Sequence, residues 1–300
     1  MTDPSGILLV DKPGGMTSHD VVARARRAMG TRKVGHAGTL DPMATGLLVL
    51  GVGAATRLLT FVVGLDKTYE ATIRLGESTD TDDADGAVTA SVPVQGVTDA
   101  DIAAGIAALT GTIEQVPSTV SAIKVDGRRA YDRVRSGEQV ALAARTVTVS
   151  RFQARSPRRL VEGTGGERPV IDLDVVVDCS SGTYVRALAR DLGAALEVGG
   201  HLTALRRTRI GPFSVTEAVG LEDLDPGRLL SAAAVASAVL GPVAVTEDEA
   251  RDLRHGKRIL GAAGRLASGR AAIDPGGRLV GILERRGDDL KSTMNMAEGS

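Results

Sequence analysis

Gly35-His36-Ala37-Gly38-Thr39-Leu40-Asp41-Pro42-Met43-Ala44-Thr45-Gly46-Leu47-Leu48-Val49-Leu50 places one histidine and one aspartate among three glycines and a proline, then runs straight into apolar residues. Glycine reaches backbone angles that other residues resist, and a proline pushes the residue before it out of helical geometry. Gly35–Gly46 therefore reads as a compact loop, and Leu47–Val52 as a buried strand that anchors it. His36 and Asp41 sit on a stiff loop tied to the core. From spacing alone the commoner reading of Asp41 is a turn aspartate that caps backbone N–H groups.

Working outward, Gly6–Val10 is a short apolar strand that ends in the turn Asp11-Lys12-Pro13-Gly14-Gly15. Ser18 is placed to cap a helix from about Asp20 to Met29, whose exposed side carries Arg24, Arg26 and Arg27; Arg32 and Lys33 follow the stop at Gly30. Tyr69–Leu75 alternates as a strand with one wet face. Glu77–Gly86, with alternating Asp and Thr, reads as a solvated acidic loop; it lacks the glutamate and glycine spacing of a calcium loop. A helix follows Thr98. Thr146–Phe152 is a strand, Arg155–Pro169 a loose loop, and Val170–Cys179 a strong strand turned by Ser180-Ser181-Gly182 into a helix from Thr183 to about Glu197. His201–Ile210 is a strand and Leu229–Leu240 an alanine-rich helix. After Gly241-Pro242 come a short helix and a hairpin turning at Asp274-Pro275-Gly276-Gly277. The pattern is α+β with antiparallel pairings, without an alternating βαβ series.

Apolar content of 43% and charged content of 24% over 300 residues describe a globular protein with ample core. Cys179 is the sole cysteine, which excludes an internal disulfide or a cysteine-based metal cluster and fits a reducing cytosol. No apolar run approaches the roughly 20 residues of a membrane span, and no signal peptide is expected. Net charge is −1, but Val120–Leu160 holds ten Lys or Arg against three Asp or Glu, a local +7, while Glu77–Asp85 holds five acids and no base. Local fields, rather than their sum, decide binding.

Four segments then line up: Lys12-Pro13-x-Gly15-x-Thr17-Ser18, Gly35-His36-x-Gly38-x-Leu40-Asp41-Pro42-x-Ala44-x-Gly46, Lys67-x-Tyr69 and Gly182-Thr183-Tyr184-x-Arg186. In this order they resemble the bacterial tRNA pseudouridine-55 synthases, the TruB family, over roughly residues 5 to 215. Gln115-x-Pro117-x-x-Ser121-Ala122-x-Lys124-x-x-Gly127, with Tyr131 and Arg135, resembles that family's thumb insertion. Val120 stands where relatives carry an aromatic residue, which bears on thumb docking.

The resemblance implies a pseudouridine-synthase fold, with a mixed, largely antiparallel central sheet flanked by helices. A catalytic domain over 1–240, with the thumb at about 115–144, would be followed by a small β-rich PUA-like RNA-binding domain over 241–300 with a flexible tail. It implies isomerisation of one flipped-out uridine in the T-loop of tRNA. The N1–C1′ bond breaks and a C5–C1′ bond forms, so nothing is oxidised and neither cofactor nor metal is needed. Asp41 matches the catalytic carboxylate, acting either as nucleophile or as base at C2′. Arg186 matches its arginine partner, and Tyr69 the aromatic residue that stacks on uracil. His36, Tyr184, Leu205 and Lys12 match substrate-binding positions. Lys124, Arg128, Arg129 and Arg133 match thumb residues that grip RNA. The expected partner is the tRNA T-stem loop, met in the cytoplasm by a monomer without membrane or obligatory protein partner. Two other readings are an RNA-folding protein whose pocket is incidental and a synthase acting on ribosomal RNA. The set Asp41, Tyr69 and Arg186 argues against the first.

Overall fold

The computed structural model describes residues 4–118, 124–125, 128–129, 143–164, 166 and 168–296. The chain divides into two compact units. One comprises residues 1–42, 46–64 and 210–300, and the other residues 43–45 and 65–209.

In the first unit the apolar run after the glycine loop is the strand Thr45–Val52, buried from Gly46 onward. It pairs antiparallel with Gly6–Lys12, from Gly6 opposite Val52 to Lys12 opposite Gly46. Val34–His36 pairs antiparallel with the same strand. Leu8, Val10, Leu48, Leu50 and Val52 form one core with Val21, Val22, Ala25 and Met29 of the helix Ser18–Ala28. That helix is capped by Thr17, not by Ser18: Thr17 accepts from the Asp20 N–H while the Asp20 side chain accepts from the Thr17 N–H. Ser18 is fully buried and turned inward for another task.

A five-stranded sheet follows Gly241 in the order Pro242–Ala244, Ala271–Ile273, Leu279–Arg286, Asp289–Asn295 and Arg258–Ile259. Its first pair is parallel and the others antiparallel. Val243, Leu253, Ala272, Val280, Leu283 and Leu290 form its core. Asp274 accepts from Arg254 at 3.0 Å and from the Arg278 N–H at 2.9 Å, which fixes the hairpin turn. This sheet is grouped with the amino-terminal strands because the helix Ala232–Leu240 packs against both Gly6–Lys12 and strands of the C-terminal sheet. Gly241 is thus a break in the chain without being a break between the compact units.

In the second unit the strands Gly200–Ile210, Lys67–Leu75, Pro169–Cys179, Arg145–Ala154 and Gly111–Gln115 lie in that order. Tyr69, Ala71 and Ile73, opposite Val177, Val175 and Leu173, are buried. The helix Val185–Ala195 packs on the strand Lys67–Leu75, and the helix Asp99–Ala108 packs on Arg145–Ala154. Gly193 permits a close approach, since a Cβ there would lie 2.2 Å from the Gly200 nitrogen. The alternate residues carry charge in matched pairs: Arg74 grips Asp172 with two hydrogen bonds of 2.8 and 2.9 Å, and Arg155 meets Glu70 at 2.7 Å.

Three expectations are corrected here. Arg155–Pro169 is not a loose loop: Arg159–Glu162 is an edge strand paired with Pro169–Cys179. Its side chains are largely exposed, so the apolar alternation that marks a strand is missing from the sequence. The basic stretch is less basic than its composition. Arg151, Arg155, Arg158 and Arg159 pair with Asp178, Glu70, Asp99 and Asp174. The acidic segment is not a solvated loop: Glu77, Thr79 and Asp83 are buried, and Glu77–Thr79 pairs with Val88–Ser91. Among the described residues no group of three or more His, Cys, Asp or Glu is arranged to hold a metal, and no helix is long and apolar enough to cross a membrane.

Candidate active site

Asp41 stands, half-buried, between two residues whose backbones are fastened. On one side, Leu40 donates its N–H to Ser18 Oγ at 2.9 Å, and that hydroxyl donates to the Leu40 carbonyl at 3.2 Å. On the other, the Pro42 carbonyl accepts from the Gly15 N–H at 2.9 Å and from Lys12 Nζ at 3.3 Å. Lys12 is fully buried; its ammonium also donates to the Met16 carbonyl at 2.7 Å and the Pro13 carbonyl at 2.9 Å. A buried ammonium is held by filling its donors. The Lys12-Pro13-x-Gly15-x-Thr17-Ser18 segment is thus the cradle of the Asp41 loop. His36, half-buried, lies opposite Leu50 in the strand pair. Its ring meets that of His19 edge-on, with centroids 5.5 Å apart. Lys12, His36 and Asp41 all belong to the first unit.

Tyr69, Tyr184, Arg186 and Leu205 belong to the second. Tyr69 is buried on the strand Lys67–Leu75, opposite Val177. Lys67, two residues earlier, donates to the Leu65 carbonyl at 2.6 Å; burial and the nearby charge of Arg207 push its ammonium down to about 8. Leu205 is buried on Gly200–Ile210 and lines a cleft of about 660 Å³ together with Met43, Thr45, Ala71, Thr203 and Arg206.

Arg186 is the second residue of the helix Val185–Ala195 and is 6% exposed. It donates to the Thr81 carbonyl at 2.8 Å and to Asp83 Oδ2 at 3.1 Å. The acidic segment is folded to make that possible. Asp83 Oδ1 accepts from Thr81 Oγ1 at 2.6 Å and from the Asp85 N–H at 3.1 Å, while Asp80 accepts from the Ala87 N–H at 2.9 Å. The alternating Asp and Thr residues satisfy one another, as short polar side chains do in turns. Gly86 closes the turn where a Cβ would lie 2.3 Å from Thr81 Oγ1. Asp82 adopts a left-handed backbone (φ 61°) and pairs with Arg190 at 3.3 Å; burial pushes its carboxyl up. A strained non-glycine residue of this kind persists where its surroundings over-determine it.

Tyr184 precedes the helix and has no side-chain cap of its own. Gln115, 1% exposed, supplies the hydrogen bonds instead. Asp83, Arg190 and the structural part played by Gln115 are absent from the sequence reading. The Thr-Asp alternation that ends at Gly86 is the signal that would have pointed to the first. Of the thumb residues, Lys124 lies in the two-residue strand Lys124–Val125, and Arg128 and Arg129 form its antiparallel partner. Arg133, Tyr131, Arg135 and Val120 lie outside the described residues.

Residues 26–185 match the TruB family pseudouridylate synthase N-terminal domain. Residues 186–243 match the tRNA pseudouridylate synthase B C-terminal domain, and residues 241–297 the C-terminal part of tRNA pseudouridine synthase II. The chain is 57% identical over 297 residues to the tRNA pseudouridine synthase B of Leifsonia xyli, covering 97% of this chain and 96% of that one. It is 58% identical over 290 residues to that of Nocardia farcinica, covering 95% and 91%. Among solved structures, an H/ACA RNP bound to a substrate RNA containing 2′-deoxyuridine superposes with a TM-score of 0.69 at 21% identity, covering 98% of this chain and 86% of that one. A Cbf5-Nop10-Gar1 complex gives 0.66 at 23%, covering 93% and 78%; at these identities the likeness is one of fold. With its amino-terminal half and most of its remainder matched in order, the chain belongs to the TruB family of pseudouridylate synthases.

Proposed function

We propose that this synthase converts one uridine in the T-loop of tRNA, at position 55, to pseudouridine, with Asp41 as the catalytic carboxylate. The observation that carries the reading is the fastening of Leu40 by Ser18 and of Pro42 by Gly15 and Lys12, which fixes the aim of the carboxylate between them. Preorganised charge costs no rearrangement when the reaction occurs.

The uridine leaves the RNA stack, which costs roughly a few kcal/mol. The N1–C1′ bond breaks while Asp41 acts at the ribose, as nucleophile at C1′ or as base at C2′. The freed uracil turns, C5 bonds to C1′, the C5 proton leaves and N1, released from the ribose, takes up a proton, so product and substrate are isomers. No redox partner enters this balance. Tyr69 offers a face for stacking and a phenol for the C5 proton. Arg186 orients charge at the site, and its fork is itself aimed by Asp83. Leu205, Tyr184 and His36 hold the nucleotide. Lys12 acts on the substrate through Asp41: its donors go to backbone carbonyls, so it is a positioning residue.

Lys124, Arg128, Arg129 and Arg133 of the insertion grip RNA, and the sheet after Gly241 adds affinity as a PUA-like domain. The enzyme works as a monomer in the cytoplasm, without a cofactor. The test is carbodiimide labelling of a single purified, unmodified tRNA after incubation with the protein. One labelled site in the T-loop is expected. No label, or label outside the T-loop, overturns the assignment.

A further inference from the structure

Residues 21–40 contain five cations, Arg24, Arg26, Arg27, Arg32 and Lys33, and no acid, in a chain whose net charge is −1. Many other surface arginines are matched by carboxylates, as in Arg74–Asp172, Arg151–Asp178, Arg155–Glu70 and Arg159–Asp174, while Arg145, Arg168 and Arg228 stand singly, without an ion pair among the described residues. Arg24, Arg27, Arg32 and Lys33 are exposed, and none of them enters an ion pair among the described residues. Arg24 and Arg27, three positions apart, share the outer side of the helix Ser18–Ala28, whose inner side is Val21, Val22 and Ala25. Arg32 and Lys33 follow Gly30, where the chain turns with φ 63°. Arg26 ties the two groups together by donating to the Val34 carbonyl at 3.2 Å.

The same helix holds the reaction loop. Ser18, its first residue, exchanges hydrogen bonds with Leu40, and His19 meets the ring of His36. Like charges this close repel one another and contribute nothing to the core they overlie. Asp20, one turn before Arg24, offsets part of that charge, and Arg27, Arg32 and Lys33 have no carboxylate partner among the described residues beside the loop from which Asp41 works.

We propose that Arg24, Arg27, Arg32 and Lys33 form a phosphate-binding surface that takes the backbone of the RNA strand running to the uridine at Asp41. Residues 21–34, which carry the cations, contain no Phe, Tyr, Trp or His, so the patch offers no aromatic stacking platform for bases. Its chemistry is that of phosphate contact, which sets the register of the RNA and leaves the choice of base to the pocket. The inference rests on the reading of the chain as a tRNA-modifying enzyme.

The test measures the affinity of the full chain for one unmodified tRNA over a range of KCl concentrations. The parent is compared with the variant Arg24→Gln/Arg27→Gln/Arg32→Gln/Lys33→Gln and with the control Arg151→Gln/Arg158→Gln, whose cations have the carboxylate partners Asp178 and Asp99. Each phosphate contact contributes about 0.7 to 0.9 to the slope of log K against log[salt]. The fourfold variant is expected to flatten the slope by about 2 to 3.5 and to lose at least about tenfold in affinity at low salt. The control should stay within about 0.5 of the parent slope. Phosphate-ethylation interference beside the target uridine should be seen with the parent and lost with the fourfold variant. If that variant does not fold, the pairs Arg24→Gln/Arg27→Gln and Arg32→Gln/Lys33→Gln are each expected to give about half the change. An unchanged slope, or equal flattening in the control, overturns the proposal. A parent that binds tRNA without salt dependence, or not at all, defeats the functional reading itself.

Discussion

Gln115 holds Tyr184 through both ends of its amide: Oε1 accepts the Tyr184 N–H at 2.8 Å, and Nε2 donates to the Tyr184 carbonyl at 3.1 Å. Tyr184 immediately precedes the helix that carries Arg186, and Gln115 is the last residue of the strand Gly111–Gln115. Gln115→Leu takes the Oε1 acceptor from the Tyr184 N–H and leaves the Tyr184 carbonyl with the Leu188 N–H at 3.2 Å, and should lower stability by about 1–3 kcal/mol. Single-turnover rate should fall while tRNA affinity stays near that of the parent. Urea unfolding and single-turnover conversion read the two effects. Unchanged values in both would remove Gln115 from the site's support.

Asp41→Asn keeps the size of the side chain but supplies neither nucleophile nor base. Product formation should be lost, with the melting temperature and tRNA affinity close to those of the parent. Turnover within about tenfold of the parent would sink the assignment of Asp41.

Lys12→Met removes a buried ammonium from three carbonyls at 2.7 to 3.3 Å. A loss of about 1–3 kcal/mol is expected, together with a lower rate at saturating tRNA, because the Asp41 loop loses a fastening. The contrast with Asp41→Asn lies in stability, which only Lys12→Met should change. A Lys12→Met variant with weakened tRNA binding and an intact rate would return Lys12 to direct substrate contact.

Arg186 and Asp83 form a buried pair, with side chains 6% and 5% exposed. Removing one partner from such a pair strands the other charge and costs on the order of 3–5 kcal/mol. Arg186→Lys retains the charge but loses the fork, and Asp83→Asn retains the fork but loses the charge opposite it. Both should be severely slowed, and the double variant should be less impaired than the product of the two single effects. Strict additivity in the double-mutant cycle would show that the two residues act independently.

Asp174 is held at about 2, below its ordinary value of 3.8, chiefly by its hydrogen bond from Arg159, helped by those from Thr72 and Ser156. A carboxyl depressed by folding contributes stability above its unfolded value, and that stability is lost as pH falls from about 4 towards 2. Asp174→Asn should therefore flatten the acid side of the stability curve in that window. It should lower stability at pH 7. Equal acid midpoints for variant and parent would show that the Arg159–Asp174 pair does not contribute.

The local frame around Asp41 was legible in the sequence. The glycine loop, the apolar strand behind it and the helix Ser18–Ala28 are specified by residues near one another in the chain, where periodicity, glycine and proline act directly. The order of the four motifs identified the family, because local chemistry of that specificity is hard to assemble otherwise. What the sequence left open are the matters decided by long-range pairing. Whether a charge is solvated, neutralised or buried depends on which strand lies beside it. The pairings that set Asp172 opposite Arg74 and Asp178 opposite Arg151, and that bring Asp174 to Arg159, put acids of the strand Pro169–Cys179 onto bases of its neighbours. Part of the apparent basic stretch is neutralised in that way, the acidic segment is buried around Arg186, and the smaller cluster from Arg24 to Lys33 keeps its charge. Lys12 changed meaning for the same reason. As a sequence residue it is a lysine in a turn, and only the fold puts three carbonyls around its ammonium and makes it part of the support for Asp41.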